Sequence, residues 1–558
     1  MTNTQNHLIH YLFIIVVCFF AFFVNNQIIP ADLMESRNLA TAQEMIHTDN
    51  YLMPTMNGEP RLEKPPLPTW IAAGVELLFP ENLVVQRYMA AISATIMVFF
   101  LYFLVSRLTK NRNIGLLSSL VLASCFNIIL MGRTATWDIY CHSFMLGAIY
   151  FLVLGLEEKG KQWGHFFITG LFLGLSFLSK GPVSFYALLL PFLISYIIVL
   201  RPSAKDKVLP ILIMILTCLV ISTWWPVYAR LSHPGLAVAV ADKESSSWLN
   251  HNVRPLYYYW QFPAEAGIWA LFWITSLCWF HWKKKIENRH VYIFSVIWTL
   301  AAFILLSLIP EKKTRYLLPM LIPGAINIGF YIYHCANSIM TSKEKNTFRF
   351  NIIVIILILV ALPVALYIMF FKDGMVTLPL YIVTSVISIC LAVFLIISVF
   401  NKYRINVLKA FTGILLTMIM VEGLCMIPVR NMFINNDRHS IRMLRKIDKV
   451  QNMPFFYNEK EQLRMELVYE ANQVIRPLNV SDSALIQSKL PFVFVSGAPI
   501  DSLLAGKNVK IEYIDTFDNN WQKYSMKPSG FNIIELLKTI ILPEAHAMNK
   551  SITQATQN

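Results

Sequence analysis

Of 558 residues, 56% are hydrophobic and 14% charged, and the mean hydropathy is +0.53. A soluble domain carries about a quarter charged residues, so this composition excludes an ordinary soluble chain and implies a polytopic α-helical membrane protein. The formal net charge of +14 does not call for nucleic acid as a partner. Lys and Arg collect here in short loops of the kind retained on the cytoplasmic side of a bilayer.

In chain order, the first apolar run covers 8–29. It lacks a basic leading segment and a small-residue cleavage site, so it reads as an uncleaved first span. The stretch that follows, "ADLMESRNLATAQEMIHTDNYLMPTMNGEPRLEKPPLPTW", is dense in ionisable residues. Within it, Leu39, Ala42, Met45 and Ile46 recur at helical spacing. That pattern suits a helix lying along the membrane interface or packing on the protein. The prolines of "EKPPLPTW" favour an extended backbone that holds Glu63 and Lys64 with little freedom, or a turn before the next span.

Further runs of the roughly 20 apolar residues a span needs lie near 84–106, 113–131, 136–156, 164–179, 183–200, 208–228, 264–282, 291–309, 316–335, 351–371, 377–399 and 406–427. About thirteen transmembrane helices are therefore expected. With the N-terminus inside, the loops "RLTKNR", "EEKGK", "RPSAKDK", "HWKKKIENRH", "SKEKNTFR" and "NKYR" are cytoplasmic, as the positive-inside rule favours. The odd span count then places the remaining tail outside.

The expected division is a membrane domain over 1–427 and a C-terminal extramembrane α/β domain over 428–558. The membrane domain carries outer loops at about 30–83 and 229–263. In the tail, "PFFY", "PFVFVSG" and "VKIEYIDTF" read as strands and "EKEQLRMELVYEANQVI" as a helix. The terminal "NKSITQATQN" reads as disordered. Eight scattered cysteines form no CxxC pair and read as small packing residues.

The same orientation gathers chemistry on the outer face: the first loop, the 230–262 loop, Asp138 in "TATWDIY", Lys180 in "LSKGP", and Lys312, Lys313 and Arg315 in "PEKKTRYLLP". Outward positive charge runs against the topological bias, and ionisable groups at membrane depth are costly and usually functional. Carboxylates supply a general base or hold a metal, and Lys and Arg bind phosphate. Together with aromatics at a membrane interface, they suit a substrate with a lipid tail, a phosphate and a polar head. The sequence has no D-x-D, P-loop or GxGxxG, so no nucleotide cofactor is expected.

Taken in order over about residues 10–335, "DLMESRNLATAQEM", "NYLMPTMNGEPRLEKPPLPTWIAA", "TWDIY", "LSKGP", "WWPVYAR" and "EKKTRYLLPMLIP" resemble the bacterial aminoarabinose transferases and the related protein-O-mannosyltransferase-like enzymes, which are GT-C glycosyltransferases. The resemblance implies a polyprenyl-phosphate-linked sugar donor and an inner-membrane enzyme with a periplasm-facing cavity. It also implies transfer to lipid A, a glycan or a protein. Carried over, Asp32 resembles the catalytic carboxylate, with Glu35 its competitor because Leu33 and Met34 separate the two. Arg37, Lys64, Lys180, Lys313 and Arg315 resemble donor-phosphate cations, and Asp138 the acidic residue that opens the fourth span. Tyr257, Tyr258 and Tyr259 resemble cavity aromatics, a membrane aromatic belt being the other reading. Glu63 with His251 corresponds to a divalent-metal pair found in some relatives. A monomer embedded among membrane lipids is expected. The alternative function is a transporter or flippase of lipid-linked sugars, which would show discontinuous helices in paired halves.

Overall fold

The computed structural model describes residues 3–400, 405–507, 509–518, 521 and 536–540. The chain divides into two compact units. One comprises Met1–Ile28, Leu62–Ile71 and Glu81–Pro428; the other comprises Ile29–Arg61, Ala72–Pro80 and Val429–Asn558. Two parts of the first loop, Ile29–Arg61 and Ala72–Pro80, thus cluster with the C-terminal segment, while Leu62–Ile71 stays with the helical unit. The disorder expected for "NKSITQATQN" lies outside the described residues.

The first unit is helical. In chain order the helices are α1 (Asn3–Cys18), α2 (Leu33–Thr48, in the second unit), α3 (Leu67–Leu78), α4 (Leu83–Thr109), α5 (Arg112–Ala123), α6 (Phe126–Gly132), α7 (Trp137–Glu157) and α8 (Trp163–Lys180). Then come α9 (Leu190–Ser195), α10 (Val208–Ser232), α11 (Pro234–Asn250), α12 (Ala270–Ser276), α13 (Trp279–Trp282), α14 (Arg289–Leu308), α15 (Leu318–Asn337), α16 (Ser342–Leu366), α17 (Leu378–Val399), α18 (Val407–Met420) and α19 (Met426–Phe433). The chain is a multi-pass membrane protein; not all of the thirteen expected spans are matched by a helix long and apolar enough to cross a membrane. Among the described residues, eight helices are long and apolar enough to cross a membrane, or nine if α5 and α6, bent by 67°, form one span.

The remaining runs are shortened or broken for local reasons. His7–Phe23 and Phe185–Leu200 are apolar but short. α8 stops at Lys180 because Gly181 takes φ 70° and Pro182 follows, a combination that ends helices. The run at 264–282 is split by Gly267, whose φ of 61° kinks the 3₁₀ segment Leu256–Trp269 before α12.

α7 and α8 are joined by a short turn and pack closely against each other, and α8 packs in turn on α10. The second contact depends on Gly170 and Gly174, spaced as a small-xxx-small pair. A Cβ on Gly170 would lie 2.5 Å from the Met214 carbonyl oxygen, and one on Gly174 2.5 Å from Ile221 Cβ. A second tie joins α6 to distant elements. Arg133 pairs with Glu422 at 2.9 Å and donates to the Ala21 carbonyl at 2.6 Å and the Phe20 carbonyl at 3.0 Å. Asn25 donates to the Glu422 carbonyl at 2.7 Å.

The second unit pairs α2 with a small α/β fold. Its sheet has the order β4-β3-β5-β7-β6, from β3 (Phe455–Asn458), β4 (Ile475–Leu478), β5 (Val493–Ser496), β6 (Tyr513–Asp518) and β7 (Leu536–Ile540). β3 lies parallel to both β4 and β5, and β7 is antiparallel to β5 and β6. Short helices include α20 (Asp448–Gln451), α21 (Met465–Ala471), α22 (Ser483–Lys489) and α23 (Ile500–Leu503).

α2 lies against α21, and Leu39 through Met45 are all buried, so its stripe packs on protein. The hairpin of β1 (Thr55–Met56) and β2 (Glu59–Pro60) is held by Glu44, which accepts from Thr55 Oγ1 at 2.8 Å and Gly58 N at 3.0 Å. From the same hairpin, Asn57 exchanges two 2.7 Å bonds with the Ile475 backbone on edge strand β4. An edge strand is thereby partly satisfied by a side chain.

Candidate active site

The expected residues fall into three groups. The first forms where α7 and α8 meet. The two helices run in opposite directions from a short turn and are of similar length, so the start of α7 and the end of α8 come level. Asp138 sits in the first turn of α7 and Lys180 is the last residue of α8. Each charge is at the end its helix dipole favours. They form an ion pair, with Asp138 2% and Lys180 9% exposed.

The 309–317 segment packs over this pair. Tyr316 is its hub: Lys180 Nζ lies 5.1 Å, Lys313 Nζ 5.6 Å and the Arg315 guanidinium carbon 5.7 Å from the ring centroid. Cations over an aromatic face gain about 0.5–2 kcal/mol each, which offsets part of the cost of gathering three of them. Arg315 is also close enough for its charge to act on Asp138 and Lys180.

The segment is held by Glu311, whose Oε1 accepts from Lys313 Nζ at 2.6 Å and from Tyr316 OH at 3.3 Å, with His251 Nδ1 3.4 Å away. Burial pushes the Glu311 carboxyl upward, but the hydrogen bond and charge of Lys313, with His251, outweigh it and hold the group below its ordinary range. Lys312 has a different task. It is 2% exposed, and its ammonium donates to the Ile309 carbonyl at 2.6 Å and the Arg254 carbonyl at 3.1 Å. Backbone bonds from Arg254 N to the Pro310 carbonyl and from Lys312 N to the Asn252 carbonyl zip the two loops together. Burial alone lowers the Lys312 pKa.

Of the three tyrosines, only Tyr259 belongs to this cluster. It is 1% exposed, and its hydroxyl bridges the Lys313 backbone N–H and carbonyl, both at 3.2 Å. Tyr257 is 73% exposed and does not line the cavity. Tyr258 is half-buried, with Arg254 5.8 Å above its ring. The cleft itself is lined by Asp138, His142, Tyr186, Tyr259, Glu311 and Tyr316, with aliphatic walls.

Glu63 and Lys64 form the second group. Lys64 Nζ pairs with both carboxylate oxygens of Glu244 at 3.0 and 3.2 Å, and Lys243 Nζ lies 3.5 Å from Glu63. An acid–base dipeptide before α3 is thus matched by a base–acid dipeptide on α11. Trp70, in α3, stacks on Trp224, in α10, with centroids 5.8 Å apart.

No set of three or more His, Cys, Asp or Glu side chains suited to a metal occurs among the described residues. Glu63 turns to Lys243, and His251 turns to Glu311 and to Asn252 at 3.1 Å. The donor set expected for a divalent ion does not assemble among the described residues.

The third group belongs to the second unit. Asp32 caps α2, its Oδ1 accepting from Glu35 N at 2.8 Å, and its side chain is exposed. Glu35 is fully buried. Its charge reaches Tyr469, whose hydroxyl is pushed up to about 12 by burial, opposed by Arg442 and assisted by Glu35. The Arg37 carbonyl accepts from Arg61 Nη1 at 2.8 Å, while Arg37 Nε is buried without a hydrogen-bond partner. Sequence reasoning missed Glu311, Tyr316, Glu244 and His142. The last was findable, since it lies one helical turn from Asp138.

A family model described as dolichyl-phosphate-mannose-protein mannosyltransferase matches residues 63–226. That span contains Glu63, Lys64, Asp138 and Lys180 and omits Asp32, Glu35 and Arg37. An uncharacterized protein of Aquifex aeolicus is 26% identical over 337 residues, covering 60% of this chain and 65% of its own length. The undecaprenyl phosphate-alpha-4-amino-4-deoxy-L-arabinose arabinosyl transferase of Yersinia enterocolitica is 23% identical over 337 residues, covering 57% of this chain and 58% of its own length. The match therefore spans less than two thirds of either relative. Among solved structures, ArnT from Cupriavidus metallidurans in the apo state superposes with a TM-score of 0.68 at 14% identity over 97% of this chain and 98% of that one. The same protein bound to undecaprenyl phosphate gives 0.66 at 13% identity over 96% and 98%. At such identity the likeness speaks for the fold, and it does so over nearly the whole chain.

Proposed function

We infer that this chain belongs to the aminoarabinose-transferase-like GT-C enzymes and is a membrane glycosyltransferase using a polyprenyl-phosphate-linked sugar. The observation that carries the reading is the gathering of Lys180, Lys313 and Arg315 around Tyr316 beside a cleft floored by Asp138. Cations converging at one end of an apolar cleft fit a phosphate with a lipid tail. Placed at a leaving phosphate, they stabilise the charge that develops as its bond to the sugar breaks. The relatives with named activities are transferases, which favours transfer over transport.

The reaction is a displacement at the anomeric carbon. The bond from that carbon to the phosphate oxygen breaks, its electron pair staying on the phosphate, and an acceptor oxygen forms the new bond with inversion. For a hydroxyl acceptor, Asp32 or Glu35 takes the proton. A phosphate acceptor, as on lipid A, has no proton to lose. Lys64 adds positive charge for the donor, and the resemblance gives Arg37 the same part. The sugar is aminoarabinose or a neutral hexose, and the acceptor is lipid A, a glycan or a protein. The loop charges and the resemblance support an inner-membrane location with a periplasmic site.

Mass spectrometry of lipid A, glycans and glycoproteins from a deletion strain tests this reading. One sugar should disappear from one acceptor and return on complementation; an unchanged glycome and lipid A sink it.

Lys64 is already neutralised by Glu244, so a donor phosphate must compete with that carboxylate. A half-exposed pair of this kind holds about 0.2–1 kcal/mol. Glu244→Gln should therefore lower the apparent donor KM, by up to about five-fold, and Lys64→Ala should raise it. A donor titration in which Glu244→Gln raises KM removes the competition.

A further inference from the structure

The polar groups lining the cleft are nearly all engaged within the protein. Asp138 is paired with Lys180, and Glu311 with Lys313. Tyr316 OH donates to Glu311 and Tyr186 OH to the Leu305 carbonyl at 2.6 Å. The Tyr259 hydroxyl is spent on the Lys313 backbone. His142 is the exception: it is 2% exposed, it lines the cleft, and its Nδ1 is buried with no hydrogen-bond partner.

Buried polar atoms are ordinarily bonded, and one left without a partner needs an explanation. His142 is four residues along α7 from Asp138, so both side chains lie on one helix face. Around it the walls are Val183, Ala187, Leu306 and Ile309. One unbonded polar atom beside aliphatic side chains, with the other polar groups already engaged, is an arrangement that orients a small polar ligand.

We propose that His142 Nδ1 binds a hydroxyl of the donor's sugar and selects which sugar is transferred. A hydroxyl both donates and accepts, so it satisfies Nδ1 in either tautomer of the ring. The aliphatic side chains meet the C–H face of the sugar. The phosphate needs no contact with His142, because the cations around Tyr316 take it. This inference rests on the transferase reading above and gives it a specificity element.

The test uses the purified full-length enzyme with undecaprenyl phosphate carrying 4-amino-4-deoxy-L-arabinose or mannose, and with sugarless undecaprenyl phosphate. His142→Phe keeps a planar ring and removes the polar atom; His142→Asn keeps a polar group. With the donor that the wild type uses, His142→Phe should lose kcat/KM by about tenfold or more, as sites built to bond a hydroxyl do when the bond is lost. His142→Asn should recover part of it, and sugarless lipid should bind all three proteins alike. A donor lacking the bonded hydroxyl should be used equally by wild type and His142→Phe.

Unchanged kcat/KM in His142→Phe overturns the proposal. So does an equal loss of sugarless-lipid binding, and so does a rise confined to the acceptor KM. A wild type that transfers neither sugar while binding the lipid phosphate counts against the transferase reading itself, and His142 falls with it.

Discussion

Lys180→Ala should abolish transfer and also destabilise the protein by about 3–5 kcal/mol. The two effects have separate causes. Loss of activity follows from the proposed part of Lys180, beside Tyr316, as a cation for the donor phosphate. Loss of stability follows from leaving Asp138, 2% exposed, as a buried carboxylate without its ammonium. Arg315 acts on Asp138 as well, which keeps the penalty from growing further. Replacing the pair together, Asp138→Leu with Lys180→Met, should restore most of the stability, because two apolar groups carry no stranded charge. It should not restore transfer. Thermal unfolding of the detergent-solubilised protein reads the first quantity and sugar transfer the second. A single variant as stable as wild type would contradict the buried pair. A double variant that transfers sugar would refute the catalytic part given to Lys180.

That pair shows what could be read in advance. Asp138 and Lys180 were both identifiable in sequence, and so was the helix end between them, because Gly181 and Pro182 make a stop that depends on local backbone chemistry alone. Their meeting followed from two antiparallel helices of similar length. Not all of the thirteen expected spans are full-length helices, for the complementary reason. Hydropathy counts apolar residues but is blind to kinks, so Gly267 and the bend between α5 and α6 were hidden within apolar runs.

Partnerships across long separations were equally illegible. Glu244 neutralises Lys64 from 180 residues away, and nothing near "EKPP" announces it. α2 was readable as a helix from its stripe. The reason that stripe is buried is α21, more than four hundred residues later in the chain. β4 was missed because "IRPL" has one residue of each kind that argues against a strand, a charge and a proline. Glu311 stood in plain view in "PEKKTR". Its role depends on the bridge that Val253 makes to it, which no local pattern encodes.

The two carboxylates of α2 can be told apart because the fold treats them differently. Asp32 is an exposed N-cap and Glu35 is fully buried. A residue that takes a proton from an acceptor and releases it must reach both acceptor and water, which favours Asp32. Asn caps a helix about as well as Asp, so Asp32→Asn removes the basic oxygen with α2 intact. For a hydroxyl acceptor it should lower kcat by about 10²–10⁴-fold, the span of general base catalysis, with binding of sugarless undecaprenyl phosphate unchanged. Glu35→Gln keeps the shape and loses the charge; it should retain transfer within about tenfold while shifting the titration of Tyr469, whose hydroxyl now feels the Glu35 charge. Removing a neighbouring negative charge makes the phenolate easier to form, so the Tyr469 pKa falls from about 12. Ultraviolet difference titration reads that change, and steady-state transfer reads the rest. The reverse ranking, with Glu35→Gln inactive and Asp32→Asn near wild type, would move the base to Glu35. Full transfer to a hydroxyl acceptor by both variants would remove the pair from the chemistry.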